Sequence, residues 1–185
     1  MPVWQQWYRD NREKGVELMS VAIDAQGDDK ILTYLQRAGA EFVTVKDEQN
    51  LLGQLYGFKA VPNGFLIDEN GVVQYKKLGG FDIRRPEFAS VLDQWVNSID
   101  EVAAEPSDDG LSPEHSMAND LFRQGAEMQK LGRSAEAIAL WKQGAELEPD
   151  NWIIRKQVWA AENPGKFYDS EVDFEWQKEQ ITKGL

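Results

Sequence analysis

Residues 56–71 read YGFKAVPNGFLIDENG, and their order constrains what can lie on either side. Leu51, Leu52, Leu55 and Tyr56 repeat at helical spacing and stop at Gly57, a residue suited to the left-handed turn that ends a helix. Residues 64–68 (GFLID) and 72–77 (VVQYKK) are strand-like runs separated by Glu69, Asn70 and Gly71. Asn-Gly between two such runs is a strong hairpin signal, so the pair is expected to be antiparallel. Between helix and hairpin stands Val61-Pro62. Taken alone it reads as a proline starting a strand, because only about 5–6% of X-Pro bonds in folded proteins are cis.

Downstream of Gly79 and Gly80, the positions Phe88, Val91, Leu92, Trp95, Val96 and Ile99 form one continuous stripe at helical spacing. That pattern predicts a long amphipathic helix closing the domain. Upstream, Val3, Trp4, Trp7 and Tyr8 fall at helical spacing, with Gly15 as the cap, and residues 16–23 read as a buried strand. Ile31, Leu32, Leu35 and Ala38 make a second stripe ended by Gly39, and residues 42–45 a short strand. Alternation of this kind predicts an α/β domain with a mainly parallel sheet and helices on its faces, the hairpin making the sheet mixed.

Beyond about residue 102 the composition shifts to Ala, Glu, Pro, Ser, Asp and Gly without apolar periodicity, so residues 103–113 are read as a linker. Residues 118–151 then give a helix, a Gly-bearing turn at Leu131, Gly132 and Arg133, and a second helix ending at Glu148, Pro149 and Asp150. This segment resembles one tetratricopeptide repeat of about 34 residues: Gly125 and Ala137 where helices cross, Leu121, Met128 and Trp141 as packing residues, Pro149 at the exit. Gly144 stands where that repeat usually has Ala. One repeat cannot bury its apolar face alone. Residues 114–163 are therefore expected to form a helical hairpin with a capping helix carrying Trp152, Ile153, Val158 and Trp159. Residues 164–185 are read as a tail with a short helix whose apolar strip is Phe174, Trp176 and Ile181. The aromatic cluster of this module is read as core, with a ligand groove as the alternative.

In order, residues 1–102 resemble the thioredoxin-like fold, nearest the TlpA/ResA branch of thiol-disulfide oxidoreductases and the redoxin domains close to it. The stretch quoted first carries the resemblance: a helix ending in Tyr-Gly, then Val-Pro, then Phe-Leu-Ile-Asp before an Asn-Gly turn. The resemblance implies that Pro62 is the family's cis-proline and that Val61, Pro62 and Asn63 bind substrate, with Val61 offering its backbone to an extended strand. Asn63 departs from the small hydroxylated residue usual there. Met1-Pro2 with Trp4, Trp7 and Tyr8 matches the part of the family's first helix just after its Cys-X-X-Cys. The cysteine pair and the strand before it would then lie ahead of Met1, and the expectation is of an N-terminally truncated or catalytically inactive form. In the family that strand lies between those matched by residues 16–23 and 64–68. Either these two close up directly, or a second copy fills the slot by strand exchange, or the polypeptide is a piece of a longer one.

Composition narrows the chemistry. The 185 residues contain no cysteine and one histidine, so thiol exchange, disulfides and Cys-ligated zinc are excluded, and no catalytic or metal-binding residue is assigned. His115, in a polar linker passing into a helix start, is read as solvent-exposed. A formal charge of −12 argues against nucleic acid, since phosphate binding needs clustered Lys and Arg. No run is long and apolar enough to span a bilayer and no secretory signal is present, which reads as cytoplasmic, or as exported or membrane-tethered if a signal lies upstream. The acidic pairs Asp28-Asp29, Asp47-Glu48 and Asp108-Asp109 fall in turns or helix starts and are read as solvated capping groups. Asp169, Glu171, Asp173 and Glu175 alternate, but without the glycine an EF-hand loop requires. Two functions follow: a thiol-disulfide oxidoreductase or redoxin whose present chain should be inactive, or a Cys-free module that binds a peptide or scaffolds a protein partner without cofactor.

Overall fold

The computed structural model describes residues 1–25, 28–97, 112–167 and 172–183. Proline at the first helical position opens α1 (Pro2–Asn11), where its missing N–H costs nothing. A single 3-10 turn then ends at Gly15, whose φ of 82° is the left-handed cap expected from sequence. There follow β1 (Met19–Ala22), α2 (Asp28–Ala38), β2 (Val43–Lys46), α3 (Leu51–Tyr56), β3 (Gly64–Ile67), β4 (Val73–Lys77) and α4 (Pro86–Asn97). The expected position Ile99, the acidic pair Asp108-Asp109 and nearly all of the expected linker lie outside the described residues.

The sheet is not the single mainly parallel one that alternation predicts. β1 pairs with β2 in parallel, Met19 opposite Val43, and β3 pairs with β4 antiparallel, Gly64 opposite Lys77. Among the described residues no ladder joins β1 to β3, so direct closure of those strands does not occur. The two ladders are connected through α1 instead. Trp4 and Trp7 pack with Leu66, Phe81, Phe88 and Leu92 on the hairpin side. On the other side Tyr8 meets Phe42 edge-on at 6.3 Å, and Gln5 Oε1 accepts the Glu41 N–H at 2.7 Å. A helix that faces two ways can serve two small sheets, and here Trp4 and Trp7 take one while Tyr8 and Gln5 take the other. Four positions in the predicted apolar stripes, Val3, Leu32, Leu51 and Leu55, are exposed. Their helices are short and turn only part of each stripe inward; in α3 that part is Leu52 and Tyr56.

The second half is helical: α5 (Pro113–Lys130), α6 (Ser134–Leu147), α7 (Trp152–Glu162) and α8 (Phe174–Thr182). Ser112 caps α5 by accepting the His115 N–H, and Asn151 caps α7 by accepting that of Ile154. α5 and α6 cross at Gly125, where the Trp141 indole lies 2.3 Å from the place a Cβ would occupy. Trp141 is fully buried and its Nε1–H donates to the Phe122 carbonyl at 3.0 Å. Four aromatic rings stack edge to face from Trp152 through Trp159 and Trp176 to Phe167, with Arg155 over Trp152 at 4.4 Å. Of the four, Trp159 is buried, and Trp152, Phe167 and Trp176 are half-buried. In α8 the strip expected from sequence turns out differently: Phe174 and Ile181 are exposed, and Gln177 and Gln180 are buried instead. Its N-cap Asp173 already binds Trp176 N–H and Lys166.

Both halves share one core. Phe58, from the loop before β3, is buried in the cluster formed by Ala118, Phe122, Ala137, Trp141, Ile153, Ile154 and Val158. Replacing Gly125 with alanine gains helix propensity but drives a methyl into the Trp141 ring. Gly125→Ala is expected to lower stability by roughly 1–2 kcal/mol net, read as a shift in the urea midpoint.

Candidate functional site

Sequence reasoning singles out Val61, Pro62 and Asn63, and these form an exposed turn leading into β3. The Val61-Pro62 peptide is cis. Val61 is 53% exposed and Pro62 is also exposed. Asn63 closes the turn from within: its Nδ2 donates to the Ala60 carbonyl at 2.7 Å, and its Oδ1 accepts the Gly79 N–H at 2.8 Å. An amide side chain can do both at once where a hydroxyl has less reach, which accounts for asparagine at this position. Behind the turn, Gly64 lies against the Phe81 ring, 2.1 Å from where its Cβ would be. The same ring contacts Trp4 at 5.6 Å, bringing the first turn of α1 near the base of the turn.

A second constellation was missed. His115, read as solvent-exposed, is only 1% exposed and belongs to a polar cluster at the junction of the two halves. Its Nδ1 lies 3.0 and 2.9 Å from the two Glu148 oxygens. An ionised carboxylate only accepts, so Nδ1 carries a proton. Nε2 faces the Gly53 carbonyl at 3.2 Å and Asn119 Nδ2 at 3.1 Å. Asn119 in turn accepts from Asn50 Nδ2 at 2.7 Å. Asn50 adopts a left-handed φ of 52°, and its side chain occupies the space a Cβ on Gly53 would need. Asn50, Asn119 and Asn151 are fully buried.

Glu148 gathers three donors in addition to its place in the core. Besides His115, Asn151 Nδ2 reaches Oε2 at 2.8 Å and Lys59 Nζ reaches Oε1 at 2.9 Å. Burial pushes the Glu148 carboxyl up, but the hydrogen bonds from Asn151, Lys59 and His115 outweigh it and hold the group below its ordinary value of 4.5. Lys59, which also pairs with Asp150 at 3.1 Å, is raised by its bond to Glu148. Lys59 immediately precedes Ala60 in the exposed turn, so the two constellations meet there.

The sequence held one signal for the buried cluster. His115, Ala118, Phe122 and Gly125 fall on one helical face, so the histidine shares the inward stripe of α5. Nothing local marks Glu148 or Gly53 as its partners. The acidic residues read as solvated caps are mixed in outcome. Asp47 is buried and binds the N–H groups of Leu51 and Leu52, whereas Glu48 bridges Lys46 and, at 2.7 Å, Lys130 of α5. Among the described residues no group of His, Asp and Glu is arranged to hold a metal ion. Asp169 and Glu171 lie outside them. No helix among the described residues is long and apolar enough to cross a membrane.

Compared with known protein families, with curated proteins and with solved structures, the chain matches none.

A carboxyl whose folded value is depressed contributes stability above its unfolded value, and that contribution is lost as pH falls through the folded one. The stability of the native chain relative to Glu148→Gln is therefore expected to be constant above pH 4.5 and to shrink below it. Urea unfolding from about pH 7 down to about pH 3 checks this, a difference that stays flat throughout being the contrary result.

Proposed function

We propose that this chain is a thioredoxin-like domain joined to one tetratricopeptide-like hairpin, and that it holds an extended polypeptide along Val61, Pro62 and Asn63 without thiol chemistry. The observation that carries this reading is a turn exposed at Val61 yet fixed on both sides of Asn63, by Ala60 and by Gly79. A main chain held rigid and open to solvent loses little entropy when an extended segment pairs with it. With no cysteine in the chain, binding is independent of redox state. In a longer protein that supplied a cysteine pair ahead of α1, the same turn would hold a disulfide substrate. The contact of Phe81 with both Trp4 and Gly64 supports that extension, because it sets the start of α1 near the turn.

A second reading concerns assembly. β1 and β3 each pair along one edge only among the described residues, which favours a homodimer in which a strand of one copy adds to the other. Sedimentation distinguishes it: a monomer at all accessible concentrations removes it.

The peptide reading is tested with reduced, carbamidomethylated α-lactalbumin, an unfolded chain whose thiols are blocked. The native chain is expected to bind it equally with and without dithiothreitol. Val61→Asp, at an exposed position, is expected to weaken binding about tenfold while leaving the urea midpoint unchanged. Absence of binding, or full binding by the variant, overturns the reading.

A further inference from the structure

We infer that the helical hairpin is a positioning device for the exposed turn, and that Lys59 is the residue through which it acts. The inference builds on the peptide-binding reading for its purpose, but its geometry stands separately. Lys59 is held at both its backbone and its side chain by the α6–α7 connection. Its carbonyl accepts the Ile153 N–H at 3.2 Å. That donor is one of the first N–H groups of α7, which have no partner inside the helix. Its ammonium is bound to Glu148 and Asp150, at 2.9 and 3.1 Å, at the other side of the same connection. Just ahead of it, Phe58 is anchored in the core shared with α5, α6 and α7.

The consequence runs along the chain. Ala60, the next residue, supplies the carbonyl that Asn63 binds, and Asn63 also takes up the Gly79 N–H. Movement of Lys59 therefore moves the acceptor on which the turn closes. Glu148 is itself fixed from the far side by His115 and Asn151, so the anchor is braced by three helices rather than by one flexible contact. The interaction is shielded as well: Glu148 is 4% exposed at its side chain and Lys59 30%, which takes the pair out of the class of surface ion pairs that contribute almost nothing. Lys59 touches no reacting group. It sets where Val61 and Pro62 stand.

The test uses the whole chain and two variants, Lys59→Met, which keeps the apolar stem as far as Cε but lacks the ammonium, and Lys59→Arg. Amide exchange is measured by NMR at Gly79 and Ile153, beside the global stability from urea unfolding. Lys59→Met is expected to speed exchange at Gly79 about tenfold beyond what the change in global stability accounts for, and Lys59→Arg to return it to within about twofold of the native rate. A merely structural contribution would change exchange only in step with global stability, and that result overturns the inference, as does an unchanged Gly79 rate in Lys59→Met. Binding of carbamidomethylated α-lactalbumin is followed in parallel. Loss of affinity in Lys59→Met with recovery in Lys59→Arg supports the assignment. A native chain that binds nothing removes the peptide reading alone, and the exchange rates still decide whether Lys59 positions the turn.

Discussion

The carboxylate of Glu148 is buried, and a buried charge is tolerated only when donors replace the water it has lost. Here the donors come from three places far apart in sequence: His115 at the start of α5, Asn151 at the cap of α7, and Lys59 from the loop before β3. Each is useful only if the others are in place, because removing one leaves an acceptor in the core with less than its complement. The arrangement makes the relative position of the two halves a matter of hydrogen-bond geometry as well as of apolar contact. Phe58 adds the apolar part, and the bonds between Asn119 and Asn50 and between His115 and Gly53 fix the angle at which α3 meets α5.

Elsewhere in the first half the same logic runs through side chains rather than ladders. Two short sheets, each of two strands, offer little cooperative backbone pairing, and two strands alone are barely stable in water. α1 compensates by packing Trp4 and Trp7 against one sheet while Gln5 and Tyr8 meet the segment leading into the other. Much of the apolar surface of β1 and β2 stays open, with Met19, Val43 and Val45 all exposed.

Local chemistry was readable, and distant pairing was not. Gly15, Gly39 and Gly57 all adopt the positive φ that their place after an apolar stripe implies, and Gly71 does so in the Asn-Gly hairpin. These are decisions made within a few residues. Gly125 was legible as a place where two helices approach closely, but the ring that fills that approach, Trp141, was read only as a packing residue. Val61, Pro62 and Asn63 were singled out through the resemblance carried by residues 56–71, and the Gly79 amide on which Asn63 closes lies sixteen residues on and gives no sign of itself. His115 was misjudged because polarity alone places a histidine in water, whereas its partners are 33 and 62 residues away. The split of the sheet was equally hidden, since period-two patterning tells which residues form a strand and not which edge each strand meets.

The solitary imidazole gives this junction an unusual transparency. Because the chain has one histidine and that histidine is buried where α3, α5 and the end of α6 converge, every imidazole resonance in its magnetic spectrum originates from a single known place. The ring's two nitrogens look in opposite directions, one to a carboxylate in the helical half and the other to a main-chain carbonyl in the sheet-bearing half. The molecule thus carries its own reporter, requiring no label or substitution, on whether its two parts are joined.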